Sequence, residues 1–185
     1  MQPFDRVTQF GVETSSLGSV VAAGGSYRRF SEPGPPSSKT RCGFAWGLSR
    51  RAFDALGGLF DLAIAGGGDM VDAAALTRDR AAMAYMFSNL TEDFRASVER
   101  HFARGAGLKL GALKGAVRHI EHGRVEKRGY VRAQSFFEDT LAHFQPSADI
   151  TRNADGLIVP MPDRPLPAWA RDIPAWLASR SEDEN

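Results

Sequence analysis

Two places in the chain combine residue types and spacing that suit chemistry. Asp69 directly follows Gly66-Gly67-Gly68. Three glycines clear every side chain from a stretch where a ligand or another backbone approaches, and they permit positive φ. A carboxylate beside them, at the start of a helix-forming run, is held at the rim of that space and suits general-base work. Asp is equally a favoured helix N-cap, because its oxygens accept from the first free amides. The second place is His119-x-x-His122. Such a pair suits a divalent cation if the backbone turns between the two residues, whereas on a straight strand they point to opposite faces. Gly123 favours a turn, and the alternative is one core and one exposed histidine. Arg124, Lys127 and Arg128 follow at once and either hold phosphate by charge or form a solvated turn. His101 and His143 fall in helical stretches without ligand-like neighbours and read as structural.

These side chains need elements to position them. Residues 42–48 (CGFAWGL) read as a buried strand. Ser49 caps a short helix with Ala52, Phe53 and Leu56 at helical spacing, and Gly57-Gly58 stops it. Leu59–Ala65 leads to the three glycines, and Met70–Leu76 forms a helix after them. A second helical stretch covers about 79–88. A third runs from Thr91 to Ala103 with Phe94, Val98 and Phe102 on one face. Residues 113–120 read as a strand ending at the histidine pair. After the basic turn, Tyr130, Ala133, Phe137, Leu141 and Phe144 make the stripe of another helix, closed by Pro146. Gly156–Val159 adds a short strand. Residues 23–40, rich in Gly, Pro and Ser, read as a long surface loop with Tyr27, Arg28 and Phe30 as anchors. Residues 160–185 read as a Pro-rich, acidic tail with one short helix near Ala175–Ser179. Strands and helices alternate, so the expected class is mixed α/β, a mixed sheet flanked by helices.

Composition narrows the partners. The 185 residues suit one domain. Lys and Arg total 23 against 22 Asp and Glu, which makes no electrostatic case for nucleic acid or an anionic membrane. The single Cys42 excludes an intrachain disulfide and a multi-cysteine zinc site. No run approaches the roughly 20 apolar residues of a spanning helix, and the first residues lack a signal-peptide core. A soluble, cytoplasmic protein is the expectation.

Taken in order, Gly43-Phe44-Ala45-Trp46, Ser49-Arg50-Arg51, Leu56-Gly57-Gly58-Leu59-Phe60-Asp61 and Gly66-Gly67-Gly68-Asp69 carry a resemblance. So does the block His119-Ile120-Glu121-His122-Gly123 with Arg124, Lys127, Arg128 and Tyr130-Val131. Residues 1–159 resemble the C-terminal, acceptor-side half of a GT-A fold glycosyltransferase, similar to the inverting family 2-like enzymes and the β-1,4-galactosyltransferases. The resemblance implies transfer of a sugar from a nucleotide-sugar donor to a glycan or other hydroxyl acceptor. In that setting Asp69 takes the acceptor proton, and His119 and His122 ligate Mn²⁺ or Mg²⁺. Gly43, Trp46, Gly66, Gly67, Gly68 and Tyr130 face the sugars, while Arg124, Lys127 and Arg128 close over the diphosphate.

The chain departs from that pattern in having no Asp-x-Asp and no G-x-G-x-x-G. Gln2-Pro3-Phe4 resembles the strand that follows the Asp-x-Asp motif. The expectation is therefore a partial GT-A fold without its N-terminal nucleotide-binding half, inactive alone: a truncated gene product, the result of an incorrectly called start, or one half of a split enzyme whose partner is a separate N-terminal half. Two alternatives belong to other classes. One is a non-catalytic relic that binds glycan or a partner; the other is a metal hydrolase using both histidines and Asp69.

Overall fold

In the computed structural model of the chain, the described residues are 1–9, 11–26, 42–64, 66–81, 90–120 and 141–179. The chain divides into two units, one of Met1–Met86 with Glu99–Glu121 and the other of Phe87–Val98 with His122–Asn185. Both strands and helices are present, so the class is mixed α/β.

The first unit is built on a small mixed sheet. Strands β1 (Arg6–Gln9) and β2 (Val12–Ser15) form an antiparallel hairpin with Val7 opposite Thr14. Strand β3 (Ala116–Arg118) runs parallel to β1 with Val7 opposite Val117, giving the order β2-β1-β3. A parallel pair requires a crossover, here supplied by more than a hundred intervening residues. The Asp5 carboxylate accepts the Gly115 amide at 3.0 Å and so ties the entry of β1 to the entry of β3. Val7, Phe4 and Leu17 are fully buried. Gln2 is buried with them because both ends of its amide are used: Oε1 accepts from the Gly18 amide at 2.8 Å, and Nε2 donates to the Gly43 carbonyl at 3.4 Å.

Helix α1 (Leu17–Ala22) is capped by Ser16, whose hydroxyl accepts from the Ser19 amide at 3.1 Å. Helix α2 (Arg50–Leu56) starts as its sequence predicts, with the Ser49 hydroxyl accepting from the Ala52 amide at 3.1 Å, and ends at a left-handed Gly57. Helix α3 (Gly68–Thr77) begins two residues before the expected Met70. Helix α4 (Glu92–Arg104) buries Phe94, Val98 and Phe102, the stripe read from its spacing, and the division between the units falls inside it. Of the helix expected over 79–88, Arg80 and Ala81 are helical and the remainder lies largely outside the described residues.

Residues 42–48 are not a strand. Phe44 has φ +73°, and a left-handed residue breaks the alternation on which a ladder depends. The segment folds on itself instead, with the Trp46 indole N–H donating to the Cys42 carbonyl at 2.8 Å. Gly47 exchanges two bonds with Met1: its amide donates to the Met1 carbonyl at 2.8 Å, and the Met1 ammonium donates to the Gly47 carbonyl at 2.7 Å.

In the second unit, Phe94 and Phe144 pack ring to ring at 5.7 Å, and the Thr91 hydroxyl donates to the Phe144 carbonyl. Tyr130, Ala133 and Phe137 of the expected stripe lie outside the described residues, and Leu141–His143 is a single 3₁₀ turn. Pro146 does not close a helix there. It opens one, α5 (Pro146–Asp149), where its missing N–H costs nothing. Strands β4 (Ile150–Arg152) and β5 (Ile158–Pro160) form a hairpin, so the strand expected over 156–159 starts two residues later, ends one later and has a partner. Helix α6 (Ala168–Ala178) runs through Pro174 and is longer than the helix expected near 175–179. Among the described residues no helix is long and apolar enough to cross a membrane.

Candidate functional site

The glycine run resolves into separate jobs. Gly67 occupies the N-cap of α3 in the left-handed region, at φ +85°, and contributes no side-chain cap. Gly68 is the first helical residue, and a β-carbon there would lie 2.5 Å from the Phe60 carbonyl oxygen. The close approach allowed by the glycine is thus made by the chain's own backbone.

Asp69 is exposed and lies inside the first turn, so it is not the cap that its position after the glycines suggests. A carboxylate there still benefits from the positive end of the helix. Its Oδ2 receives the Cys42 thiol at 3.8 Å, and a β-carbon on Gly43 would come within 3.3 Å of the same oxygen. The next residue, Phe44, presents its ring edge-on to Phe4 at 6.3 Å and to His119 at 5.6 Å. Trp46 is half-buried on the same segment. Asp69 and His119 therefore border consecutive residues of one stretch, Gly43 and Phe44, with Trp46 two residues on.

His119 extends the β3 ladder by one residue, its amide donating to the Thr8 carbonyl at 2.9 Å. His122, Arg124, Lys127, Arg128 and Tyr130 lie outside the described residues. Among the described residues no three His, Cys, Asp or Glu side chains form a group able to hold a metal ion. His119 offers one imidazole, which is too small a donor set for Mn²⁺ or Mg²⁺, ions that prefer several oxygens. The described residues do not make a metal site. At the edge of the segment, burial of the Met1 ammonium against Gly47 holds its pKa below the ordinary value.

A buried pair lies behind Asp69 that the sequence reading does not assign to the site. His101 Nε2 is 2.7 Å from Asp72 Oδ1, and the same oxygen accepts the Phe60 amide at 3.1 Å. The signal was available. Asp72 interrupts the apolar run Val71–Ala75, and His101 falls on the stripe of Phe94, Val98 and Phe102, where a polar residue needs a buried partner.

Comparison with protein-family models, with curated proteins and with solved structures gave no match.

Proposed function

We propose that this chain is the acceptor-side part of an inverting glycosyltransferase, which moves a sugar from a nucleotide-sugar donor to an acceptor hydroxyl. The observation that carries the reading is the meeting of the exposed Asp69 carboxylate with a segment whose next residues are glycine and aromatics. Sugars present apolar ring faces and a fringe of hydroxyls, so aromatic walls beside a carboxylate match both. Asp69 accepts the proton of the acceptor hydroxyl as its oxygen attacks the anomeric carbon. The bond from that carbon to the nucleoside diphosphate breaks, and the diphosphate leaves with the electron pair. Gly43 keeps the approach to Asp69 free of a side chain, and Trp46 supplies the wall. His119 and His122 would supply two of the ligands of Mn²⁺ or Mg²⁺ only where a donor-binding half and the diphosphate add the oxygens such an ion prefers, and Arg124, Lys127 and Arg128 would face the diphosphate. The donor-binding half comes from polypeptide outside these residues.

The test has two arms. Ligand-observed NMR of the full chain against a panel of mono- and disaccharides should find a binder whose signal is lost in Trp46→Ala. Transfer from nucleotide sugars should appear once a donor-binding half is supplied, and should fail in Asp69→Asn. Transfer that survives Asp69→Asn overturns the reading.

A further inference from the structure

We infer that Asp72 and His101 are positioning residues that fix the rotation of α3 and thereby aim Asp69 at Cys42 and Gly43. Both side chains are buried, with 8% and 6% of their surfaces accessible. Burying a carboxylate is costly unless it is paired, and apolar side chains of similar volume often stabilise as well or better. Here the pair performs an orienting task that an apolar residue lacks.

Phe60 is the strap. Its amide donates to Asp72 Oδ1, its carbonyl lies over Gly68, and its ring meets His101 edge-on at 5.3 Å. Gly68 and Asp72 are four residues apart and so share one face of α3. Asp69 is one residue further round, about 100° away, on the side of Cys42. The end of α4 is held at a second point, because a β-carbon on Gly105 would collide with the Ala75 carbonyl. His101 and Gly105 thus grip Asp72 and Ala75 one turn apart, and α3 cannot roll without breaking both contacts. A roll of about 20° would carry a side-chain end, about 5–6 Å from the axis, through about 2 Å. A misplacement of about 1 Å costs on the order of 100-fold in rate.

The inference rests on the reading above only where Asp69 is called a base, and its test requires no sugar transfer. Cys42 is the single cysteine of the chain and reports on the carboxylate beside it. Iodoacetamide, a neutral reagent, is applied to the folded full chain and the alkylation rate is measured. Removing a unit negative charge about 4 Å from a thiolate should speed alkylation about fivefold or more in Asp69→Asn. In His101→Gln, adding Asp69→Asn should no longer change the rate. Asp72→Asn keeps an acceptor oxygen for Phe60 and His101 and should retain most of the effect. If His101→Gln fails to fold, by loss of near-ultraviolet circular dichroism, the paired replacement Asp72→Leu with His101→Leu provides a packed alternative in which the Asp69→Asn effect should also vanish. An undiminished effect in either folded background overturns the inference. So does the absence of any Asp69→Asn effect in the parent chain, because the aimed placement would then not exist. Loss of sugar transfer with the alkylation pattern intact would count against the proposed function alone.

Discussion

The carbonyl oxygen of Phe60 lies 2.5 Å from the position a β-carbon on Gly68 would occupy. Backbone cannot give way as a flexible side chain can, so Gly68→Ala forces α3 and the Phe60 segment apart. Overpacking of this kind costs about 1–3 kcal/mol. Replacing a helical glycine by alanine returns about 0.5–1 kcal/mol, so the loss wins. The expected outcome is a lower urea midpoint with an unchanged slope. A midpoint equal to or above that of the parent chain would show that the contact yields.

Asp69→Asn separates chemistry from folding. Gly67 holds the cap, so the substitution removes no capping bond and loses only the attraction of a charge to the helix end, about 0.3–1 kcal/mol. On the proposed reading, once a donor-binding half is supplied, kcat for sugar transfer should fall about 10²–10⁴-fold, the scale for a lost general base. KM for the acceptor should change little. An Asn variant with full kcat would remove Asp69 from the reaction.

Pro174 lies in the interior of α6, where it offers no N–H to the carbonyl four residues earlier and crowds that turn. It is exposed, so alanine there disturbs no core contact. Pro174→Ala should raise the helical signal in far-ultraviolet circular dichroism. It should also stabilise α6 by up to about 3 kcal/mol, the difference in helix propensity. A weaker helical signal would mean that the proline holds α6 in place.

The parts legible in the sequence are those governed by local chemistry. Ser49 and Gly57 bound α2 because a hydroxyl cap and a left-handed glycine act within one turn. The spacing of Phe94, Val98 and Phe102 marks α4 because one face of a helix is buried continuously. The closeness of Gly43 to Asp69 joins two segments far apart in the chain, and no local pattern signals it. Residues 42–48 misled because an apolar run looks like a buried strand, while the left-handed Phe44 is set by packing against Phe4 and His119. The β1–β2 hairpin escaped because Arg6, Thr8 and Gln9 give it little apolar pattern, and only Val7 is fully buried. Periodicity marks Asp72 and His101 each as a polar residue on a buried face, but it cannot pair them, because they lie 29 residues apart.

His119 is anchored by the bond from its amide to Thr8 and by the edge contact of its ring with Phe44, so its imidazole is held in one region of the segment. One or two neutral nitrogens suit borderline ions better than a hard, oxygen-seeking one, and along the divalent series Zn²⁺ binds such donors more tightly than Mn²⁺. The full chain by itself should therefore bind Mn²⁺ weakly and Zn²⁺ more tightly, measured by calorimetry or, for Mn²⁺, by electron paramagnetic resonance. His119→Ala should weaken both, whereas Asp69→Asn should leave both unchanged, since a base bound to the ion would lose its basicity. Supplying the donor half together with a nucleoside diphosphate adds carboxylate and phosphate oxygens, and Mn²⁺ should then tighten relative to Zn²⁺. Tight Mn²⁺ binding by the chain alone that survives His119→Ala would remove this histidine from the metal's coordination.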